Sequence, residues 1–132
     1  MRWRYATKKF DPQRLVDETV VDELLEITNL TPSSYGLQPF KFVVLKNQEL
    51  QDQLITSSYG QRQVADASHV LIIAARTDVD ANYIREYVAM VESQRELAEG
   101  TMQEYCQVMI GSMTRMSPES LNHWAAKQAY IA

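Results

Sequence analysis

Three short stretches of this sequence carry residue types that could hold a ligand. In "RYATKKFD", starting at Arg4, an extended backbone points alternate side chains the same way. That would set Arg4, Ala6 and Lys8 on one side, two cations around a small residue. A guanidinium grips a phosphate through two parallel N–H donors, and Lys8 would reach the electron-rich end of a bound ring. "TPSSYGLQPF", from Thr31 to Phe40, holds two of the four prolines and one of the four glycines. Pro32 and Pro39 stiffen it, while Ser33, Ser34, Tyr35 and Gly36 present hydroxyls and main-chain amides. It reads either as an ordinary surface turn or as a wall for a flat polar heteroaromatic. "YGQRQVADASHV" offers Gln61 and Gln63, each with a donor and an acceptor, suited to an imide-like edge. Its plainer reading is the polar start of a helix ahead of a strand.

Other catalytic signatures are absent. There is no glycine-rich phosphate loop, no His-Glu-x-x-His, no Gly-x-Ser-x-Gly and no pair of cysteines. His69 and His123 lie far apart without acids at metal-ligand spacing, so no metal site is expected. His69 opens a strand and reads as a hydrogen-bonded structural histidine. Cys106 sits on an apolar helical stripe and reads as packing. No side-chain nucleophile or general acid–base pair stands out, so no catalytic side chain is expected.

Composition narrows the class. A chain of 132 residues suits one domain, and 45% hydrophobic with 23% charged residues is ordinary for a globular protein. A net charge of −4 argues against a general nucleic-acid binder. No apolar run approaches the roughly 18 residues that cross a membrane, and "MRWRYATKKF" has no apolar signal core. With a single cysteine, which excludes an internal disulfide, this points to a reducing, cytoplasmic setting and no membrane partner. Charge is unevenly placed. Arg2, Arg4, Lys8, Lys9 and Arg14 face only Asp11 in residues 1–14, whereas residues 15–30 hold Asp17, Glu18, Asp22, Glu23 and Glu26 and no base. The two blocks are either solvated faces or an anion cradle followed by an acidic helix.

These stretches need elements to position them. Val16, Val20, Val21, Leu24, Leu25 and Ile27 recur near a 3.6-residue period and predict an amphipathic helix over 15–30, stopped by Pro32. "KFVVLK" predicts a short buried strand, and "NQELQDQLI" a helix capped by Asn47. "HVLIIAARTD" predicts a strand buried on both faces. Residues 81–97 form a helix broken by Gly100. Met102, Tyr105, Cys106, Met109, Ile110, Met113 and Met116 fall on one helical stripe. Ser117 and Pro118 suit the cap and first position of a last helix, with Leu121, Trp124, Ala125 and Ile131 on one side. That helix carries no stop signal, and two strands are few for an independent sheet.

Taken in order, the segments resemble the nitroreductase family of flavin mononucleotide (FMN)-dependent NAD(P)H oxidoreductases. "RYATKKFD" is similar to its Arg-x-Ser-x-Lys/Arg-x-Phe opening. "TPSSYGLQPFKFVVL" is similar to its Ala/Ser-Pro-Ser-Ser-x-Asn-x-Gln-Pro-Trp-x-Phe loop and strand. "QVADASHVLIIAA" resembles its second strand and "NHWAAKQAYIA" its late core helix. The resemblance runs over essentially the whole chain.

That resemblance implies an α+β fold, a central and mainly antiparallel sheet flanked by long helices, in an intertwined homodimer with flavins at the interface. Arg4 would contact the flavin phosphate, with Tyr5 beside it. Ala6 would lie by the ribityl chain, Lys8 at the N1/O2 ring edge and Gln63 near the pyrimidine end. Pro32, Ser33, Ser34 and Gly36 would face the flavin held mainly by the other subunit. The implied activity is ping-pong hydride transfer from NAD(P)H through FMN to a small-molecule acceptor such as a nitroaromatic or quinone. The Met-rich helix would belong to the variable region over the pocket. Ala6 stands where Ser is common, Gly36 and Gly60 where Asn is common, and Phe40 where Trp is common. Residues 1–132 would be a single nitroreductase-like domain, incomplete at its C-terminus and lacking most of its first helix. The alternatives are a non-catalytic flavin-binding or dimerisation module derived from a truncated nitroreductase, and a family branch with other flavin redox chemistry.

Overall fold

A computed structural model describes residues 3–132, so Arg2 of the basic block lies outside the described residues. The described residues form an α+β fold of six α-helices and one two-stranded sheet. The helices are α1 (Glu18–Asn29), α2 (Gln48–Ser57), α3 (Gln63–Asp66), α4 (Ala81–Gln94), α5 (Gln103–Met113) and α6 (Pro118–Ile131). The strands are β1 (Phe40–Leu45) and β2 (Val70–Ala75). They run antiparallel, and just beyond their ends Arg76 N–H donates to the Pro39 carbonyl at 2.8 Å. Pro39 has no N–H to return the bond, so the ladder stops there. None of the described helices is long and apolar enough to cross a membrane.

The helix starts follow their caps. Asn47, Asp80 and Ser117 each accept a backbone N–H of the first turn, from Leu50, Tyr83 and Ser120. Pro118 sits in the first turn of α6, where a missing N–H costs nothing.

The chain divides into two compact units. The first comprises Met1–Asn29 and Phe42–Ile72. It buries Val21 and Ala65 together with one polar side chain: Gln51 of α2, 1% exposed, donates to the carbonyls of Val64 and Ala67 at 3.2 and 2.9 Å. Each buried amide proton thereby finds an acceptor, which burial requires. Glu18, at the start of α1, accepts from Lys46 Nζ at 2.8 Å and meets His69 Nε2 at 3.3 Å. Lys46 first, and His69 with it, holds the Glu18 carboxyl below its ordinary value of 4.5. A carboxylate whose pKa is depressed by folding contributes stability above its unfolded pKa and loses it as pH falls through the folded one. The melting temperature should therefore drop on acidification below about pH 4.5, and Glu18→Gln should flatten part of that acid limb. An identical acid limb in the variant would refute the linkage.

The second unit comprises Leu30–Lys41 and Ile73–Ala132. Its core is Leu37, Ile84, Val88, Cys106, Met109 and Met113, flanked by Tyr35, Tyr83, Tyr87 and Trp124. The methionine stripe of α5 is thus packing, and so is Cys106.

Four sequence expectations change. The strand at β2 is not buried on both faces: Leu71, Ile72 and Ile73 are exposed. With only two strands among the described residues, too little structure lies against it to cover an apolar run. Strand β1 is half-buried rather than buried, with Phe40, Phe42 and Val44 turned in and Lys41 and Val43 out. Helix α1 buries only Val21, leaving Val20, Leu24 and Ile27 exposed. Ile131 is exposed, and α6 instead buries Ala125, Gln128 and Ala129.

Candidate functional site

The residues expected to hold a ligand fall into one set in each unit. In the first unit, Arg4, Tyr5, Ala6 and Lys8 are all exposed. Their segment is irregular, with a bend at Lys8, and forms no strand. No strand ladder therefore fixes the alternation that would set Arg4, Ala6 and Lys8 on one side. Arg4 and Tyr5, with Trp3 and Thr7, line an open hollow of about 600 Å³. Gln63 is the first residue of α3 and half-buried, consistent with a polar helix start. A second hollow of about 570 Å³ in this unit is lined by Lys9, Phe10, Arg14 and Leu24 among others, and by none of the expected site residues.

Ser68, His69 and Glu18 form a hydrogen-bonded series, with Ser68 Oγ 2.8 Å from His69 Nδ1. It does not read as a nucleophile system. Ser68 Oγ already accepts the Val16 N–H at 2.8 Å, and the imidazole is bonded at both nitrogens and 9% exposed. His69 is a structural histidine. Among the described residues no cluster of His, Cys, Asp and Glu could hold a metal ion.

The second unit contains the more constrained set. Residues 31–40 make a single 3-10 turn at Ser34–Gly36. Three residues of this loop have left-handed backbone: Tyr35 at φ 59°, Gly36 at φ 71° and Gln38 at φ 42°. Non-glycine residues there cost about 1–3 kcal/mol each and persist only when surroundings hold them. The surroundings do hold them. Tyr83 Oη of α4 donates to the Leu37 carbonyl at 2.5 Å, and Tyr87 Oη to the Tyr35 carbonyl at 3.4 Å. Tyr35 is half-buried, its hydroxyl on Ser112 of α5 at 3.1 Å and its ring edge-on to Tyr105. Gln128 of α6 accepts the Ser34 N–H at 2.8 Å, and Ser33 Oγ accepts the Gln38 N–H at 2.8 Å. Burial pushes the Tyr83 and Tyr87 hydroxyls above their ordinary value, so both stay protonated donors. Pro32, Ser34 and Gly36 remain exposed on the outer side of the braced loop.

The tyrosines at 83 and 87 and the glutamine at 128 are the residues that sequence reading passed over. Their signal was available: Tyr83 and Tyr87 are one helical turn apart, and Gln128 falls on the same helix face as the small residues Ala125 and Ala129.

Comparison with known proteins sets this geometry in a family. The sequence profile of the nitroreductase family matches residues 1–132. The chain belongs to the nitroreductase family. A curated relative is "Putative NAD(P)H nitroreductase YfkO" of Bacillus subtilis, 36% identical over 98% of this chain and 62% of its own length. The chain thus spans about three-fifths of the length of the curated relatives it matches. A nitroreductase family protein of Streptococcus pneumoniae superposes with a TM-score of 0.75 at 28% identity, covering 97% of this chain and 62% of that one. The Exiguobacterium sibiricum "putative nitroreductase in complex with FMN" shares the fold at 19% identity, TM-score 0.75, over 97% of this chain and 61% of its own.

For this nitroreductase-family chain, the two Asn-to-Gly departures have one physical explanation. Gly36 and Gly60 sit at φ 71° and φ 72°, where asparagine and glycine are the residues that fit at least cost. At position 36 glycine has a second reason, since a Cβ would stand 2.5 Å from Tyr87 Oη.

Proposed function

We propose that this chain forms part of an FMN-dependent oxidoreductase that passes hydride from NAD(P)H to a nitroaromatic, a quinone or a related small acceptor. The observation that carries the reading is the loop of residues 31–40, held in strained left-handed backbone while Ser34 and Gly36 stay open to solvent. Family membership and the NAD(P)H nitroreductase names of the relatives support it.

The donor set fits FMN by its chemistry. Arg4 would bind the phosphate, Tyr5 and Ala6 would flank the chain leading from it, and Lys8 would set positive charge at the N1/O2 edge of the ring. Gln63 would meet the pyrimidine end. Pro32, Ser33, Ser34 and Gly36 of one protomer would face the flavin of its partner in a homodimer. The exposed apolar residues Val20, Leu24 and Ile27 of α1 suit an interface of that kind. Bound FMN supplies the hydride exchange, in a ping-pong order, between the nicotinamide and the acceptor. Positive charge at that edge, as Lys8 would supply, favours the state in which negative charge builds up beside it. No side-chain nucleophile is needed, and no nucleic acid or membrane partner enters the reading. Both units are taken as parts of one nitroreductase-like domain acting in the cytoplasm.

Titration of the purified chain with FMN, followed by flavin fluorescence quenching and molecular mass, tests this. Saturable binding by a dimer, weakened about tenfold or more in Arg4→Ala through loss of a charge-assisted phosphate contact, is the expected result. NADH oxidation on addition of a quinone should follow. Binding without turnover would favour the non-catalytic flavin-binding module. A folded chain that takes up no FMN would refute flavin binding by these residues.

A further inference from the structure

We infer that Gln128 is a positioning residue for the ligand wall, and that the wall offers the Ser34 hydroxyl, not the Ser34 main-chain amide, to what it faces. The inference rests on the flavin reading of this loop.

Gln128 is buried, 8% exposed, on the side of α6 that also buries Ala125 and Ala129. A primary amide in such a place has to satisfy both its ends. Gln128 does so in a way that fixes its direction: Oε1 accepts the Ser34 N–H at 2.8 Å, and Nε2 donates to the Trp124 carbonyl of its own helix at 3.4 Å. Oε1 therefore points at the loop, and Ser34 N–H is consumed inside the protein. Three further amides of the loop are consumed too. Gly36 N–H goes to the Ser33 carbonyl at 2.9 Å, Leu37 N–H to the Ser34 carbonyl at 3.2 Å, and Gln38 N–H to Ser33 Oγ.

Two serine hydroxyls are left to face a ligand. Ser34 is exposed, and its hydroxyl has no partner among the described residues. The Ser33 oxygen accepts from Gln38, so its own proton is still available to donate. A wall that donates through hydroxyls, with the Ser34, Gly36, Leu37 and Gln38 amides turned inward, suits carbonyl oxygens or ring nitrogens. Its placement depends on Gln128, which reaches across from a helix remote in sequence, 94 positions from Ser34. Rotamer freedom of an exposed serine is cheap, but movement of its backbone is not, so the acceptor on Gln128 sets where the hydroxyl stands.

Three substitutions test this with FMN itself as the probe, alongside amide hydrogen exchange at Ser34. Gln128→Met keeps the side-chain length and removes the acceptor. Exchange at Ser34 should accelerate at least about tenfold, and the FMN dissociation constant should rise by about tenfold, with helical content retained. Gln128→Glu keeps an acceptor for the Ser34 N–H but loses the donor to the Trp124 carbonyl, so it should lower overall stability while Ser34 exchange and FMN affinity stay closer to wild type than in Gln128→Met. Ser34→Ala, an exposed change that leaves the fold alone, should weaken FMN by several-fold, and it keeps the inference testable should Gln128→Met fail to fold. Faster Ser34 exchange with unchanged FMN affinity would make Gln128 merely structural and overturn the inference. So would full FMN affinity in Ser34→Ala. A wild-type chain that binds no FMN overturns the flavin reading itself and this inference with it, an outcome separate from a loss confined to the variants.

Discussion

Met109→Ala is expected to destabilise the protein by about 2–5 kcal/mol, the range for truncating a fully buried methionine. Met109 is 0% exposed and lies in one cluster with Leu37, Ile84, Val88, Cys106 and Met113. These neighbours come from the 31–40 loop, α4 and α5, so they cannot all close on the space left behind. The lost transfer energy and the cavity term both count. Against a total stability of about 5–15 kcal/mol for an ordinary domain, the variant would stand near its unfolding limit at 37 °C. Cys106 reports on it directly. It is 3% exposed and the chain's single cysteine, so its thiol should label slowly in the wild type and much faster in Met109→Ala. A loss below about 1 kcal/mol by urea titration, with Cys106 still protected, would show that this cluster does not hold the second unit together.

Glu92→Leu should cost roughly 2–4 kcal/mol. Glu92 lies on α4, 6% exposed, and its carboxylate accepts the Met102 N–H at 2.6 Å and the Gly100 N–H at 3.1 Å. Those two donors precede α5, where first-turn N–H groups have no partner within the helix. Leucine fills the space but accepts nothing, leaving two amides without a partner. Relief of the buried carboxylate's own desolvation offsets part of that loss. Glu92→Gln retains one acceptor and should fall between leucine and the wild type. Amide exchange at Gly100 and Met102 discriminates the local effect. If both amides stay protected in Glu92→Leu, the carboxylate is not what anchors the start of α5.

The two cases differ in how they could be foreseen. Met109 belongs to a stripe with spacings of three and four, and that periodicity alone predicts a buried face. Glu92 follows the same helical spacing but is charged, and nothing local says that two amides eight and ten residues later will turn back to meet it.

The same division runs through the site. Local chemistry was legible in the sequence: Asn47 and Ser117 as caps, Pro118 in a first turn, His69 as a bonded structural histidine, Cys106 as packing. Caps and helical stripes depend on residues within one or two turns, so the sequence alone determines them. The order of the motifs also identified the nitroreductase family. What the tertiary structure decided is non-local. The runs at β2 and α1 are apolar enough to be core, yet burial depends on whether another layer lies against them. The basic segment at Arg4 and Lys8 has the spacing of a strand but no strand to pair with, and alternation without a ladder fixes nothing. In the 31–40 loop the residue types announced a polar wall, but which of its groups face outward was settled by Tyr83, Tyr87 and Gln128. A hydrogen bond spends a donor wherever its partner happens to be, and those partners lie between 45 and 94 positions away in the chain.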